Sequence, residues 1–125
     1  MEFEISFIEV KGYFLIKTSG ETTPHDIERS LNEVTNHPNW TRGTDIVFDN
    51  RMEDLSKLSS DDIKDISLKF LKFNRELKGS KIALVMPEDF AYGLARMWEI
   101  HTQNVASFVS TVFRSLDDAT KWVGE

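Results

Sequence analysis

Strand-like and helix-like hydrophobic patterns alternate along this chain of 125 residues. Near the N-terminus, Phe3, Ile5 and Phe7 alternate with polar residues, which is the period of a half-buried strand. A turn at Lys11-Gly12 leads to a denser apolar run over residues 13–16, typical of a strand covered on both faces. Helix and strand patterns then alternate strictly. The order β-β-α-β-α-β-α-β-α predicts an α/β fold with a mixed, largely parallel five-stranded sheet packed with helices.

The first two helices have recognisable start signals. Thr22 or Thr23 supplies a hydroxyl cap before Pro24, and Ser59 or Ser60 does the same for a longer second helix. The second helix is expected to carry one apolar stripe, formed by Ile63, Ile66, Phe70, Phe73 and Leu77. Leu68 and Leu71 are expected to widen this stripe, and Gly79 to end the helix.

The remaining elements follow from shorter patterns. They are a helix end at residues 37–39, a strand at 46–48 followed by a loop from about 50 to 58, a strand at 82–86, a helix from about Asp89 through His101, a strand at 108–113 and a last helix capped by Ser115. No linker or internal repeat interrupts this order, so we expect a single domain over residues 1–125.

Composition excludes several classes of function. Fifteen Lys and Arg residues stand against 21 Asp and Glu residues, and the resulting net charge of −6 disfavours a nucleic-acid-binding protein. The chain has no cysteine, which removes disulfides, thiolate nucleophiles and cysteine-ligated metals. No apolar run reaches the roughly 20 residues of a transmembrane helix. We therefore expect a cytoplasmic protein with no transmembrane segment and no nucleic-acid partner.

Catalytic and cofactor signatures are missing from the sequence. The glycines form neither a GxGxxG fingerprint nor a P-loop, and no GxSxG elbow occurs. His25, His37 and His101 lie in three different segments, and none has a second histidine at metal-binding spacing. The sequence predicts no catalytic residue, no metal and no cofactor.

Polar residues after the predicted strands are the first candidates for a site, because ligands of open α/β sheets bind beyond the carboxyl ends of the strands. Asp49 and Arg51 follow the central strand, Pro87-Glu88-Asp89 follows the next, and Arg114 follows the last. These groups either converge on one rim or serve the scaffold, with Asp49 and Arg51 capping helices or pairing with each other.

The third helix carries the second set of candidates. Tyr92, Met97 and Trp98 offer an aromatic and apolar surface suited to a partner or an apolar ligand. Arg96 and Glu99 have the spacing of an ion pair within a helix. The alternative is that this helix packs in the core and exposes a solvated ion pair. Gly93 and Ala95 are expected to let the helix approach the sheet closely.

The chain resembles the SpoIIAA-like branch of the STAS superfamily over nearly its whole length. The residues that carry the resemblance are Asp49-x-Arg51, Leu58-Ser59-x-Asp61, the strand at 81–85, the stretch Tyr92-Gly93-Leu94-Ala95-Arg96-Met97-Trp98-Glu99, the stretch Val112-Phe113-Arg114-Ser115-Leu116-Asp117-Asp118-Ala119, and Trp122-Val123. The resemblance implies a compact bacterial α/β domain that often self-associates and has no established enzymatic activity. Domains of the same architecture act as regulatory binding modules, and some bind lipids or other apolar ligands.

The best-known STAS mechanism is phosphorylation of a serine at a helix start after a central strand. Here the corresponding stretch, residues 49–54, contains no serine. Ser59 and Ser60 come later and fit helix caps first, since a phosphate there would face Asp61 and Asp62.

Three hypotheses follow. The leading one is a non-catalytic binding or regulatory module that forms a homodimer or takes a small apolar ligand or a regulatory protein partner. The second is a small enzyme with a strand-rim site built from four groups, Asp49, Arg51, Arg96 and Glu99. The third is a partner switch controlled by phosphorylation at Ser59 or Ser60.

Overall fold

The computed structural model describes residues 1–86 and 89–124, without the side chains of Phe90 and Ala91. Its elements are β1 (Glu2–Ile8), β2 (Tyr13–Glu21), α1 (Pro24–Thr35), β3 (Asp45–Asp54), α2 (Ser60–Leu71), β4 (Lys81–Val85), α3 (Asp89–Thr102), β5 (Val109–Phe113) and α4 (Leu116–Val123). This order confirms the predicted alternation.

The described strands form one mixed sheet in the order β1-β2-β3-β4-β5. β1 runs antiparallel to β2, as expected of a hairpin, and β2 to β5 pair in parallel. The predicted α/β fold is confirmed. A helix connects each pair of successive parallel strands. Because β2, β3, β4 and β5 are parallel, their carboxyl ends lie along the same edge of the sheet.

Helices cover both faces of the sheet unequally. The larger core combines side chains of α1, α2 and α3 with one face of the strands, including Phe14, Phe48 and Phe70. The smaller core lies on the other face, where Ala119 and Val123 of α4 pack with alternate strand residues. We call these the three-helix face and the α4 face.

The predicted caps are in place. The hydroxyls of Thr23, Ser59 and Ser115 each accept a hydrogen bond from a backbone N–H three residues on, at the starts of α1, α2 and α4. Ser59 also forms a capping box, because the Asp62 carboxylate accepts from the Ser59 N–H at 3.0 Å.

Two predicted boundaries are wrong. The loop expected from residue 50 is instead strand as far as Asp54, because residues 52–54 pair with residues 19–21 of β2 beyond an irregularity in register. α2 ends at Leu71 and not near Gly79. Leu77, expected in the helix, lies in the turns that follow and is still fully buried, whereas Leu68 is 52% exposed and does not widen the buried stripe.

Candidate functional site

A small cavity of about 50 Å³ lies on the three-helix face, towards the carboxyl ends of β2, β3 and β4. Its lining side chains are Thr22, Ile27, Phe48, Asn50, Glu53, Leu55, Leu58, Ile63, Ile66, Phe70, Leu84, Met86, Leu94, Ala95 and Trp98. Leu58 and Leu94 are only half-buried, so the apolar wall continues to the surface of the protein. This is the region of an α/β sheet in which ligands bind.

The apolar wall is a product of the helical periodicity. Ile63, Ile66 and Phe70 recur at intervals of three and four along α2 and therefore share one face. Phe70 meets Trp98 of α3 with 4.9 Å between ring centroids. Trp98 is also stacked on Phe108, with 16° between the ring planes. Aromatic packing between α2, α3 and the residue before β5 therefore holds this wall together.

Three buried polar atoms of the cavity lining have no hydrogen-bond partner among the described residues. They are Oε1 of Glu53, Oγ1 of Thr22 and Nε1 of Trp98. A buried polar group without a partner costs about 1–3 kcal/mol, and native proteins contain few of them. Their occurrence together in one cavity of this size indicates a polar end in an otherwise apolar site.

Glu53 is the titratable group of this site. Burial raises the pKa of its carboxyl to about 7, against smaller opposing effects of the nearby Thr22 and Thr18 hydroxyls and the N-terminal amine. The Thr22 hydroxyl lies near this carboxyl but does not make a hydrogen bond of regular geometry with it. The carboxylate of Asp26 raises the pKa of Glu53 further, but only slightly. Near neutral pH the cavity therefore holds a carboxyl group that is partly protonated.

The irregularity in β3 explains how Glu53 faces the cavity. Lys17 pairs with Asp49, but Ser19 pairs with Met52, so β3 contains one residue more than β2 over this stretch. Such a bulge changes which side chains face which side of a sheet. The Thr18 hydroxyl lies within 2.7 Å of Asn50 Oδ1 and 3.2 Å of the Asp49 carbonyl at this point. Sequence reasoning missed Glu53 because it treated residues 50–58 as a loop.

Asp49 and Arg51 pair with each other on the α4 face. Asp49 lies two residues after Val47, whose side chain belongs to the smaller core. Side chains two residues apart in a strand lie on the same face, so Asp49 is on the α4 face. Arg51 donates to both carboxylate oxygens of Asp49, from Nε at 2.7 Å and Nη2 at 2.8 Å. The Arg51 guanidinium holds the pKa of the Asp49 carboxyl below its usual value. This is the pairing between Asp49 and Arg51 that the sequence predicts as one alternative.

Arg96 and Glu99 also pair with each other, with 2.8 Å between Nη1 and Oε2. They lie on α3, which packs on the three-helix face. The structure therefore puts the two ion pairs on opposite faces of the sheet. A rim site that needs Asp49, Arg51, Arg96 and Glu99 in one pocket has no support from this arrangement.

The aromatic surface predicted for α3 is only partly a surface. Trp98 is 3% exposed and belongs to the core, whereas Tyr92 and Met97 are half-buried. The Arg114 guanidinium lies over the Tyr92 ring at 5.1 Å and pairs with Asp89. Gly93 is exposed, and a Cβ there would meet no atom of the described residues within 4 Å, so the predicted close approach of the helix to the sheet does not occur at Gly93 in the described part of the chain.

Two further predictions concern neighbouring positions. Pro87 and Glu88, expected beside Asp89 at the strand rim, lie outside the described residues. Ser59 and Ser60 are both exposed at the start of α2, where the Ser59 side chain serves as the cap. In residues 1–86 and 89–124 no group of three potential metal ligands occurs, and no helix is long and apolar enough to cross a membrane.

Comparison of the structure with solved structures supports the resemblance seen in the sequence. The structure of this chain is similar to the crystal structure of an uncharacterised protein from the DUF3478 family with a SpoIIAA-like fold, from Shewanella loihica PV-4. The TM-score is 0.63 and the identity 20%, over 98% of this chain and 92% of that one. The chain has a SpoIIAA-like fold. No family model and no curated protein matches it, and at this identity the likeness concerns the fold alone.

Proposed function

We propose that this protein is a non-catalytic binding module that takes a small apolar ligand in the cavity between its sheet and helices α2 and α3. The observation that carries the proposal is the composition of the cavity wall, which is apolar apart from a few polar groups. Ligand sites in proteins have this character: a hydrophobic wall with a small number of polar groups that orient the ligand.

The size of the cavity limits what it encloses. A volume of about 50 Å³ holds a group of a few heavy atoms. The remainder of a longer ligand would lie along the half-buried Leu58 and Leu94. As part of the proposal we place the protein in the cytoplasm, which suits a chain without cysteine.

The experiment is a titration with 1-chlorobutane, an apolar probe whose chlorine makes no strong hydrogen bond, followed by the backbone amide signals of the cavity-lining residues. We expect saturable shifts of these signals, abolished by Ala95→Val, which extends a side chain into the cavity. Leu68→Ala alters an exposed apolar side chain on α2 outside the cavity lining and is expected to leave the shifts unchanged. Absence of saturable shifts in the unmodified protein would refute the proposal.

Self-association is a second proposal, favoured by the edge of the sheet. Among the described strands β5 pairs with β4 alone, and its first residue, Val109, is 61% exposed. Exposed edge strands are templates for pairing with another chain, and a charged residue there prevents it. We expect light scattering to give the mass of a dimer, reduced to that of a monomer by Val109→Lys. Val10→Lys, at an exposed valine near the β1–β2 turn, should leave the dimer intact.

A further inference from the structure

The polar end of the cavity has a definite hydrogen-bonding requirement. Trp98 Nε1 is a donor only and therefore needs an acceptor from the ligand. Glu53 Oε1 is an acceptor in the ionised carboxyl, the form that predominates above about pH 7, and there it needs a donor. The Thr22 hydroxyl serves in either role. One small group that both donates and accepts would satisfy all three atoms.

A hydroxyl group meets this requirement. It has one O–H donor and two acceptor lone pairs, so it can donate to Glu53 while accepting from Trp98 and Thr22. Beside the ionised Glu53 carboxyl, a carboxylate ligand has no proton to give and would add a second negative charge. An ammonium group has no acceptor for Trp98. Both charged heads would also lose hydration in an apolar cavity, which is expensive.

We propose that the cavity selects an apolar molecule with a single uncharged hydroxyl, an aliphatic alcohol, and that Trp98, Thr22 and Glu53 hold its oxygen. This inference rests on the proposed binding function and adds the chemical class of the ligand. It also explains why an apolar core keeps three hydrogen-bonding atoms that have no partner in the described part of the chain.

The test compares two probes of equal chain length on matched variants. The probes are 1-butanol and 1-chlorobutane, and the variants are Trp98→Phe and Thr22→Val, which remove the polar atom and keep most of the side-chain volume. The net gain from one hydrogen bond predicts that each variant lowers the affinity for 1-butanol about fivefold. The affinity for 1-chlorobutane should change less than twofold, so that the difference between the probes isolates the hydroxyl.

Two additional ligands complete the series. At pH 8, where Glu53 is ionised, butyrate and butylammonium should bind the unmodified protein at least tenfold more weakly than 1-butanol. Amide spectra of each variant verify that it is folded, and either variant alone suffices for the comparison.

The possible failures are distinguishable. If the variants weaken both probes equally, or if butyrate binds as tightly as 1-butanol, the hydroxyl preference is refuted while apolar binding stands. If the unmodified protein binds neither 1-butanol nor 1-chlorobutane, the inference and the proposed function fail together.

Discussion

Glu53 of β3 and Trp98 of α3 line the same cavity, and each presents a buried hydrogen-bonding atom without a partner in the described residues. One side chain belongs to the sheet and the other to the helix layer. The polar end of the site therefore depends on the packing of α3 against the sheet. Packing between Trp98, Phe70 and Phe108 maintains that relationship.

The raised pKa of Glu53 predicts that stability depends on pH. The native state binds the proton of this carboxyl more tightly than the unfolded state does, so the free energy of unfolding should fall as pH rises from about 4.5 to about 7. The loss from this group is at most about 3 kcal/mol. Glu53→Gln should remove that part of the pH dependence. The free energy of unfolding of the variant, taken relative to that of the wild type, should therefore be higher at pH 8 than at pH 4. Urea unfolding at several pH values measures the free energy of unfolding of both proteins. Parallel plots of this free energy against pH would contradict the prediction.

The Asp49–Arg51 pair should stabilise the fold without taking part in binding. Because the pKa of Asp49 is lowered in the native state, its contribution is present above the usual pKa of an aspartate and is lost as pH falls below it. Asp49→Asn should lower the free energy of unfolding by about 1 kcal/mol at pH 7. Arg96→Gln breaks a more exposed pair and should change it by less than about 0.5 kcal/mol. Chemical unfolding measures the change in the free energy of unfolding for both variants. Equal changes in the two variants would contradict this prediction.

Ser59 is predicted to act as a helix cap. Ser59→Ala removes the side-chain half of the capping box and should cost about 1 kcal/mol of stability. Ser60→Ala replaces the first helical residue and should have little effect. Thermal unfolding measures the stability of both variants.

The phosphorylation-switch hypothesis makes a different prediction for the same serines. It predicts that a serine kinase modifies Ser59 or Ser60, which mass mapping of the treated protein detects. Modification elsewhere, or none, would exclude that switch.

Two glycines should respond in opposite directions to alanine. Gly43 has a φ of +88°, and a Cβ there would lie 3.0 Å from the Lys78 carbonyl oxygen. Gly43→Ala should therefore destabilise the protein by about 1–2 kcal/mol. Gly93 is an exposed helical residue with free space around it, so Gly93→Ala should stabilise the protein by about 0.5–1 kcal/mol. Melting temperatures that move in the same direction for both variants would contradict this reasoning.

The fold was predictable because its signals are local. The alternating pattern of Phe3, Ile5 and Phe7, the proline after Thr23 and the hydroxyl of Ser59 each determine an element from neighbouring residues alone. The extension of β3 was not predictable, because it depends on pairing with the distant residues 19–21 across a bulge. That bulge also determines the face on which Glu53 lies.

The candidate site was predictable only in part. The sequence predicts Trp98 as a binding candidate on an exposed surface, whereas the structure buries it in the cavity wall. Asp49 and Arg51 have the residue types of a site, yet their two hydrogen bonds satisfy each other. Thr22 was noted only as a helix cap. Its place beside Glu53 and Trp98 results from tertiary packing, which spacing in the sequence does not reveal.

The indole signals of the three tryptophans provide a direct probe of the cavity. Trp98 lines it, whereas Trp122 packs on the α4 face and Trp40 against Phe14. The experiment is a titration with 1-butanol followed by two-dimensional ¹H–¹⁵N NMR, with the indole signals assigned by Trp→Phe variants. We predict that the Nε1–H signal of Trp98 shifts and saturates, while the signals of Trp40 and Trp122 stay in place. A stationary Trp98 signal, or equal shifts of all three, would contradict a ligand site in this cavity.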